Sequence, residues 1–316
     1  MSLPMDADRQ GAIPPAVKNA TFIKGDIQSF RSHKLIPSSY LDGSKFSTGM
    51  NHSFHHFIFI LLGSAGSILC VDPIAKTQNC TICLQPLQGE FSVDAWGNTF
   101  HSRHENEGVF CFSCSRIISE GVTQGGYIYS DGRHLCSLCQ TSVVKEDSVI
   151  QNSYRSVLNQ LESVGIQNIP RDLSIKLVGL DQLNNNSGNL AHSHLKGFTK
   201  TNLLNKNESP PTRTYQIFLL NGLPKIEFEA VMAHELLHVW IYENKLKLSS
   251  FVSEGFCNLG SELIYNNDPT KFSQIHLKAL AENNHLNYGD GYLFMKKTLE
   301  KAGWNNLLKN LADIEN

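Results

Sequence analysis

The sequence lacks a surplus of charge of either sign. Its 316 residues include 27 Lys and Arg against 29 Asp and Glu, which gives a formal net charge of −2 and a pI near 6.7. A protein that binds nucleic acid or an anionic membrane through its overall charge needs a basic excess. The composition therefore predicts no nucleic-acid partner, and any other partner must be inferred from individual sites.

Cysteines are scarce outside one short stretch. Six of the 8 fall between residues 80 and 139 as three C-x-x-C pairs, whereas Cys70 and Cys257 stand alone in apolar surroundings. Clustered pairs indicate metal ligation rather than a disulfide framework. None of the pairs lies at the strand-to-helix turn of a βαβ pattern, which disfavours a redox-active dithiol.

The N-terminal part lacks the pattern of a packed domain. Residues 1–49 have scattered prolines and no sustained period, so we expect them to be disordered or loosely packed. Residues 50–72 include the uncharged run FIFILLGSAGSILCV. If translation begins at Met50, this segment resembles a signal peptide; residues 54–71 also fit a membrane tether or a buried core segment. Localisation therefore stays open between export or tethering and the cytoplasm.

Residues 78–142 contain four close pairs of Cys and His, which suit two tetrahedral zinc sites. The spacing resembles a LIM domain, and this resemblance implies that the sites fill in chain order. The first site would hold Cys80, Cys83, His101 and His104, and the second Cys111, Cys114, Cys136 and Cys139. A six-residue gap after His104 leaves Cys111 as an alternative fourth ligand of the first site. So small a core needs metal to fold, so we expect structural zinc here.

A second motif, His234-Glu235-Leu236-Leu237-His238, lies in an apolar segment without proline or glycine from Lys225 to Leu248. On a helix, residues four apart share one face, so His234 and His238 can bind one zinc ion. Glu235 can then act as general base on a water beside that ion. The alternative is a buried helix with two core histidines, which is unfavourable for His, Glu and His together without a metal.

A catalytic zinc site usually has a third protein ligand. The metzincin pattern is absent, because Ile241 and Asn244 occupy its Gly and third His positions. A second helix is predicted over Ser250–Tyr265, antiparallel to the first, so that Glu254 faces the two histidines. Glu262, two turns later, is the competing carboxylate. Glu254 would complete a His₂Glu site.

The coarse pattern predicts an α+β chain. A helical period begins near Tyr154, and Ser174–Asp181, Lys196–Lys200 and Thr212–Leu220 are predicted strands. We expect a small LIM-like double zinc-knuckle β domain, followed over 150–316 by a zincin-like peptidase domain with a short antiparallel sheet, an active-site helix and C-terminal helices. Thr212–Leu220 is the candidate for an edge strand that binds substrate backbone; the alternative is an ordinary core strand, and the two interpretations are compatible.

The LIM-like block, HELLHVW and the later E-G-x-C together resemble one family, the LIM-containing zinc peptidases related to plant regulators of organ size. The segments IFLLNGLP (217–224), SEGFCN (253–258) and YGDGY (288–292) also look like landmarks of that family. In plant members the resemblance implies a ubiquitin-linked peptidase. Residues 1–79 show no acidic, Ala-Ser-containing helix of the ubiquitin-interacting type, so a bacterial-type member fits better.

The predicted function is a zinc-dependent endopeptidase with one catalytic and two structural zinc ions. Glu235 is the general base, His285 and Tyr288 are candidates for stabilising the oxyanion, and Asn258 is expected to orient His234. A protein or peptide is the substrate, and the LIM-like module braces the enzyme or recruits a protein partner. The alternative is a non-catalytic LIM-type adaptor with a structural zinc in the C-terminal domain, for which Cys257 is the nearby fourth ligand.

Overall fold

The computed structural model describes residues 23–26, 78–187, 195–204 and 212–314. The predicted hydrophobic segment at 50–72 and most of residues 1–49 lie outside these ranges. Within them, a block rich in Cys and His ligands precedes a mainly helical body with a small sheet. The prediction of a LIM-like domain followed by a helical domain is confirmed at this level.

The LIM-like block consists of short hydrogen-bonded pieces. Its elements are β1 (Ile23–Asp26), β2 (Glu90–Val93), β3 (Thr99–His101), α1 (His104–Glu107), α2 (Glu120–Thr123), β4 (Gly126–Ile128), β5 (His134–Cys136) and α3 (Ser137–Gln140). Strand β2 pairs antiparallel with both β1 and β3, and β4 pairs antiparallel with β5. Residues 1–49 are expected to be disordered or loosely packed, but residues 23–26 form β1. This strand pairs with an edge of β2 that would otherwise be open.

The helical body is built around one large apolar core. Its elements are α4 (Asp147–Ser163), β6 (Ser174–Val178), α5 (Leu180–Asn186), β7 (Gly197–Leu204), β8 (Thr212–Leu220), α6 (Lys225–Glu243), α7 (Ser250–Asn266), α8 (Lys271–Ala281), a π-helical turn (Leu286–Asp290), α9 (Gly291–Asn310) and a 3₁₀ turn (Leu311–Asp313). Helix α6 is buried around most of its circumference, which accounts for its apolar composition. None of the helices in the described ranges is both long and apolar enough to cross a bilayer.

The sheet of the body differs from the prediction. Its strand order is β6-β8-β7, with β6 parallel and β7 antiparallel to β8. The predicted antiparallel sheet is therefore wrong, because the sheet is mixed. The predicted edge strand Thr212–Leu220 is also wrong, since this segment is the middle strand. Its last four residues, from Ile217 to Leu220, are all buried, as expected for a strand covered on both faces.

Candidate metal centres

Helices α6 and α7 bring the predicted ligands of the body together. Ser249 caps the start of α7 by accepting a hydrogen bond from the backbone N of Val252 at 3.3 Å. Near the other end of α7, Ser261 Oγ donates to the carbonyl of Ala230 at 2.8 Å, in the first half of α6. Glu254 instead contacts His238, further along α6. The two helices therefore run antiparallel, with Glu254 facing the histidines.

The three predicted ligand atoms lie at nearly equal separations. Nε2 of His234 is 3.2 Å from Nε2 of His238 and 3.2 Å from Oε2 of Glu254. The third separation, between His238 Nε2 and Glu254 Oε2, is 3.5 Å. In a tetrahedral zinc site with bonds of about 2.0–2.1 Å, two such donor atoms lie about 3.3 Å apart. The spacing and the donor chemistry therefore fit a zinc ion.

The competing residues differ in their placement. Glu262 binds Lys296, with Oε1 2.5 Å from Nζ, and so has its own cation. Cys257 is closer to the candidate site, because its Sγ lies within 4.8 Å of a ring nitrogen of both histidines. The Cys257 thiol is fully buried, and this burial and the charges of Glu254 and Glu235 raise its pKa well above the usual value. Glu254, with separations of 3.2 and 3.5 Å, is the better-placed third ligand.

Glu254 and His234 each stabilise the charged form of the other. Burial alone would raise the pKa of Glu254, but its hydrogen bonds to His234 and His238 hold that pKa far below the usual range. Burial likewise opposes protonation of His234, yet the hydrogen bond and charge of Glu254 raise the pKa of this imidazole. Glu254 is thus an ionised carboxylate at neutral pH, which is the form that binds a metal.

Asn258 lies behind the first histidine, as predicted. Its Oδ1 is 3.0 Å from His234 Nδ1, and its Nδ2 donates to the carbonyl of Tyr288 at 2.8 Å. The second bond identifies which end of the amide faces the imidazole, so Nδ1 of His234 carries a proton, and Nε2, which faces Glu254, is the nitrogen that would bind a metal. The side chain of Asn258 therefore fixes both the tautomer and the ring orientation.

Two residues of β7, neither of them predicted from the sequence, hold Glu235. Thr199 Oγ1 donates to Glu235 Oε2 at 2.7 Å. A Cβ atom at Gly197 would lie 2.7 Å from Glu235 Oε1 and 2.7 Å from Cγ1 of Val231, so any other residue there would displace the Glu235 side chain or β7. These contacts join residues 34 or more positions apart in sequence, and no local pattern in β7 indicates them.

The π-helical turn brings Tyr288 next to the histidines. Its ring stacks on that of His234 at 6.3 Å between centroids. Burial, followed by the charges of Glu254 and Glu235, raises the pKa of Tyr288, so the phenol keeps its proton and can donate a hydrogen bond. His285 is exposed and caps the turn, with Nδ1 accepting from the backbone N of Asn287 at 3.2 Å. Its ring is 5.0 Å from that of Tyr288.

Two glycines, one in SEGFCN (253–258) and one in YGDGY (288–292), allow the backbones of α7 and α9 to lie close together. A Cβ atom at Gly255 of α7 would lie 2.2 Å from the carbonyl oxygen of Gly291, and a Cβ atom at Gly291 would lie 2.5 Å from that of Phe251. Neither position therefore tolerates a side chain. The backbone of α9 is pressed against α7, which places the preceding turn and Tyr288 beside Glu254.

The first upstream cluster contains Cys80, Cys83, His101 and His104, whose ligand atoms all lie within 4.8 Å of one another. Cys83 Sγ is 3.4 Å from His101 Nδ1. Nε2 of His104 is buried and has no hydrogen-bond partner among the described residues. A buried nitrogen without a partner is costly unless it binds a metal. The structure thus groups His104 with this cluster and Cys111 with the other.

The second cluster contains Cys111, Cys114, Cys136 and Cys139, all buried. Sγ of Cys114 and Sγ of Cys136 are 3.8 Å apart, much too far for a disulfide. Two sulfur ligands of a tetrahedral zinc with bonds of about 2.3 Å lie about 3.8 Å apart. The donor sets of both upstream clusters therefore fit zinc or a similar metal.

Comparison with known proteins gives distant relatives of one kind. The chain is 23% identical to Protein DA1-related 2 of Arabidopsis thaliana over 254 residues, which cover 69% of this chain and 46% of that protein. It is 24% identical to LIM domain-containing protein HDR3 of Oryza sativa subsp. japonica over 252 residues, 67% of this chain and 49% of that protein. The chain is distantly related to the plant DA1-type LIM proteins.

A further relative, Protein DA1-related 1 of Arabidopsis thaliana, is 24% identical over 194 residues, which are 52% of this chain and 34% of that protein. The chain spans about half the length or less of the curated relatives it matches. No protein-family model and no solved structure matches it. These names and the Cys and His clusters together point to a LIM-type protein that binds zinc or a similar metal.

Proposed function

We propose that this protein is a zinc-dependent endopeptidase of the His₂Glu type, with a LIM-like module that braces the enzyme or recruits its substrate. The proposal rests chiefly on the three mutual separations of 3.2, 3.2 and 3.5 Å among His234, His238 and Glu254. Three protein ligands are the usual complement of a catalytic zinc, whereas structural sites have four. Glu235, next to the first ligand, is the general base that such a site needs.

His234, His238 and Glu254 would hold the ion. When bound, zinc supplies Lewis acidity that polarises the scissile carbonyl and eases deprotonation of water. Glu235, oriented by the Thr199 hydroxyl, takes the proton from the attacking water and later delivers it to the leaving amine. Tyr288 retains its phenolic proton and donates a hydrogen bond to the oxyanion, while His285 positions the turn that carries Tyr288.

The edge strand β7 is the better candidate for contacting the substrate backbone. Among the described strands of its sheet, β7 pairs only with β8, and its residues Gly197 and Thr199 lie against Glu235. An extended peptide that pairs with the open edge of β7 would gain backbone hydrogen bonds close to the general base. We therefore assign to β7 the role that the sequence pattern had suggested for Thr212–Leu220.

The test pairs metal content with hydrolysis. Wild type and Glu235→Gln are purified, their zinc is counted by mass spectrometry, and both are incubated with casein. We expect three zinc ions per chain in both proteins, one for each donor cluster. We expect activity to fall by about 10²–10⁴-fold only in the variant, because general-base catalysis contributes that much. Two zinc ions, or equal activity, would refute the proposal.

The placement of Cys257 favours one alternative. If its thiol were a fourth ligand, the site would be structural and the protein a LIM-type adaptor. We expect Cys257→Ala to keep three zinc ions and activity within about twofold of wild type, because Glu254 already supplies the third ligand. Loss of the third zinc in Cys257→Ala, together with an inactive wild type, would instead support the adaptor.

A further inference from the structure

We propose that the second zinc knuckle, residues 111–114, positions the general base Glu235 through Glu227 and Lys196. This inference rests on the proposed peptidase function. It gives the LIM-like block a defined role in that function, because the knuckle then supports the two elements, α6 and β7, that hold Glu235. Ser113, Glu227 and Lys196 are positioning residues in this scheme and touch neither metal nor substrate.

The first contact joins the knuckle to α6. Ser113 Oγ donates to Glu227 Oε2, and both residues are buried. Glu227 lies two helical turns before Glu235 on the same helix and is only 1% exposed. A carboxylate in such a place must be paired or protonated. Burial opposes ionisation, but Lys196 and Ser113 hold the pKa of Glu227 below its usual value, so the group stays charged.

The second contact joins the same carboxylate to the start of β7. Lys196 Nζ forms an ion pair with Glu227 Oε1. The same ammonium group lies 4.9 Å from the centre of the Phe112 ring, within the range of a cation–π contact. Lys196 is therefore held between α6 and the knuckle, and its carbonyl accepts from Leu220 N at 2.9 Å, which fixes its backbone to β8.

The third step leads from Lys196 to Glu235. Lys196 directly precedes Gly197, and both Gly197 and Thr199 of β7 lie against the Glu235 side chain. The backbone of Gly197 is packed closely against Glu235, because even one added carbon would lie 2.7 Å from Glu235 Oε1. A shift of Lys196 therefore moves the strand against the general base. Closely packed interiors transmit such shifts rather than absorb them.

Other contacts between the block and the body lie elsewhere. Arg133 donates to the carbonyl and side chain of Asn221 at 2.8 and 2.6 Å, before α6 begins. Lys271 of α8 donates to the carbonyl of Trp96 at 2.7 Å. These bonds hold the two parts together. Lys271 contacts a helix away from β7, and Arg133 reaches β7 only through the backbone next to Leu220, whereas Ser113 binds the carboxylate that pairs with the Lys196 side chain. The contact through Ser113 is thus distinct from general docking.

The experiment compares substitutions of two lysines in the whole 316-residue chain. Lys196 and Lys225 each pair with a buried carboxylate of α6, namely Glu227 and Glu229, but only Lys196 is joined to β7. We expect Lys196→Met to lower kcat by about 10- to 100-fold with KM and zinc content unchanged, because a small misplacement of a catalytic group has that effect. Lys225→Met should stay within about twofold of wild type.

A milder variant guards against loss of folding. Ser113→Ala removes only the hydroxyl from Glu227 and leaves the ion pair, and we expect kcat to fall about tenfold. The effects of Lys196→Met and Thr199→Val should be less than additive, because both act through the position of Glu235. Equal kcat in the two lysine variants, together with a Ser113→Ala variant as active as wild type, would overturn the inference. Wild-type hydrolysis that does not depend on Glu235 would instead refute the proposed function itself.

Discussion

Adding one methyl group at Gly197 tests the assignment of Glu235 directly. A Cβ atom there would lie 2.7 Å from Glu235 Oε1 and 2.9 Å from its Cγ, whereas ordinary contacts begin at 3.4 Å. The carboxylate must therefore retreat by about 0.7 Å, or β7 must move by as much. A displacement of this size in a catalytic group costs about 10²-fold in rate. We expect Gly197→Ala to lower kcat to that extent while all three metal sites remain filled.

The assay measures kcat and KM on a fluorogenic peptide derived from a casein cleavage site, together with zinc content. Gly179→Ala is the matched control, because a Cβ atom at Gly179 meets nothing within 4 Å and its backbone does not require glycine. We expect this control to stay within about twofold of wild type. If Gly197→Ala is as active as Gly179→Ala while Glu235→Gln is inactive, the packing of β7 does not position the general base.

Three further perturbations have distinct expected outcomes. Asn258→Ala should weaken zinc binding at the His₂Glu site by about 10- to 100-fold in a chelator competition, because His234 loses the partner of its Nδ1. Burial lowers the pKa of His276 to about 4, so the unfolded chain binds a proton at this residue more readily than the folded chain does. The Tm should therefore fall as the pH drops from about 6.5 towards 4. The variant His276→Phe keeps the contacts with Tyr265 and Phe272, and we expect it to show a weaker dependence of Tm on pH. Complete chelation of zinc should unfold the LIM-like block and change the fluorescence of Trp96, which packs against the second cluster.

Local patterns account for what could be predicted in the metal sites. The spacing of His234 and His238 depends only on the pitch of one helix, and the pairs Cys80–Cys83 and Cys111–Cys114 depend only on tight turns. The fit of Glu254 to the two histidines needed one further step, the antiparallel packing of two helices joined by a short loop. Such packing is strongly constrained, so the predicted geometry matches the separations found.

The two wrong predictions concern the order and direction of strands in the sheet. The sequence of Thr212–Leu220 is apolar and strand-like, but these properties do not distinguish an edge from a centre. The structure places it between β6 and β7, with both of its edges paired, and which strands pair at those edges depends on how whole elements pack rather than on the sequence of the strand itself. For the same reason, the antiparallel sheet that had been expected is mixed.

The sequence by itself determined which donor atoms this protein offers and how they are grouped, because pairs of ligands three or four residues apart are set by local backbone geometry. Only the tertiary structure decided what surrounds those donors. Gly197 and Thr199 reach Glu235 across the fold, and Ser113 reaches Glu227 from 114 residues away. Contacts of that range arise from the packing of whole elements, so the sequence around either contacting residue does not predict them.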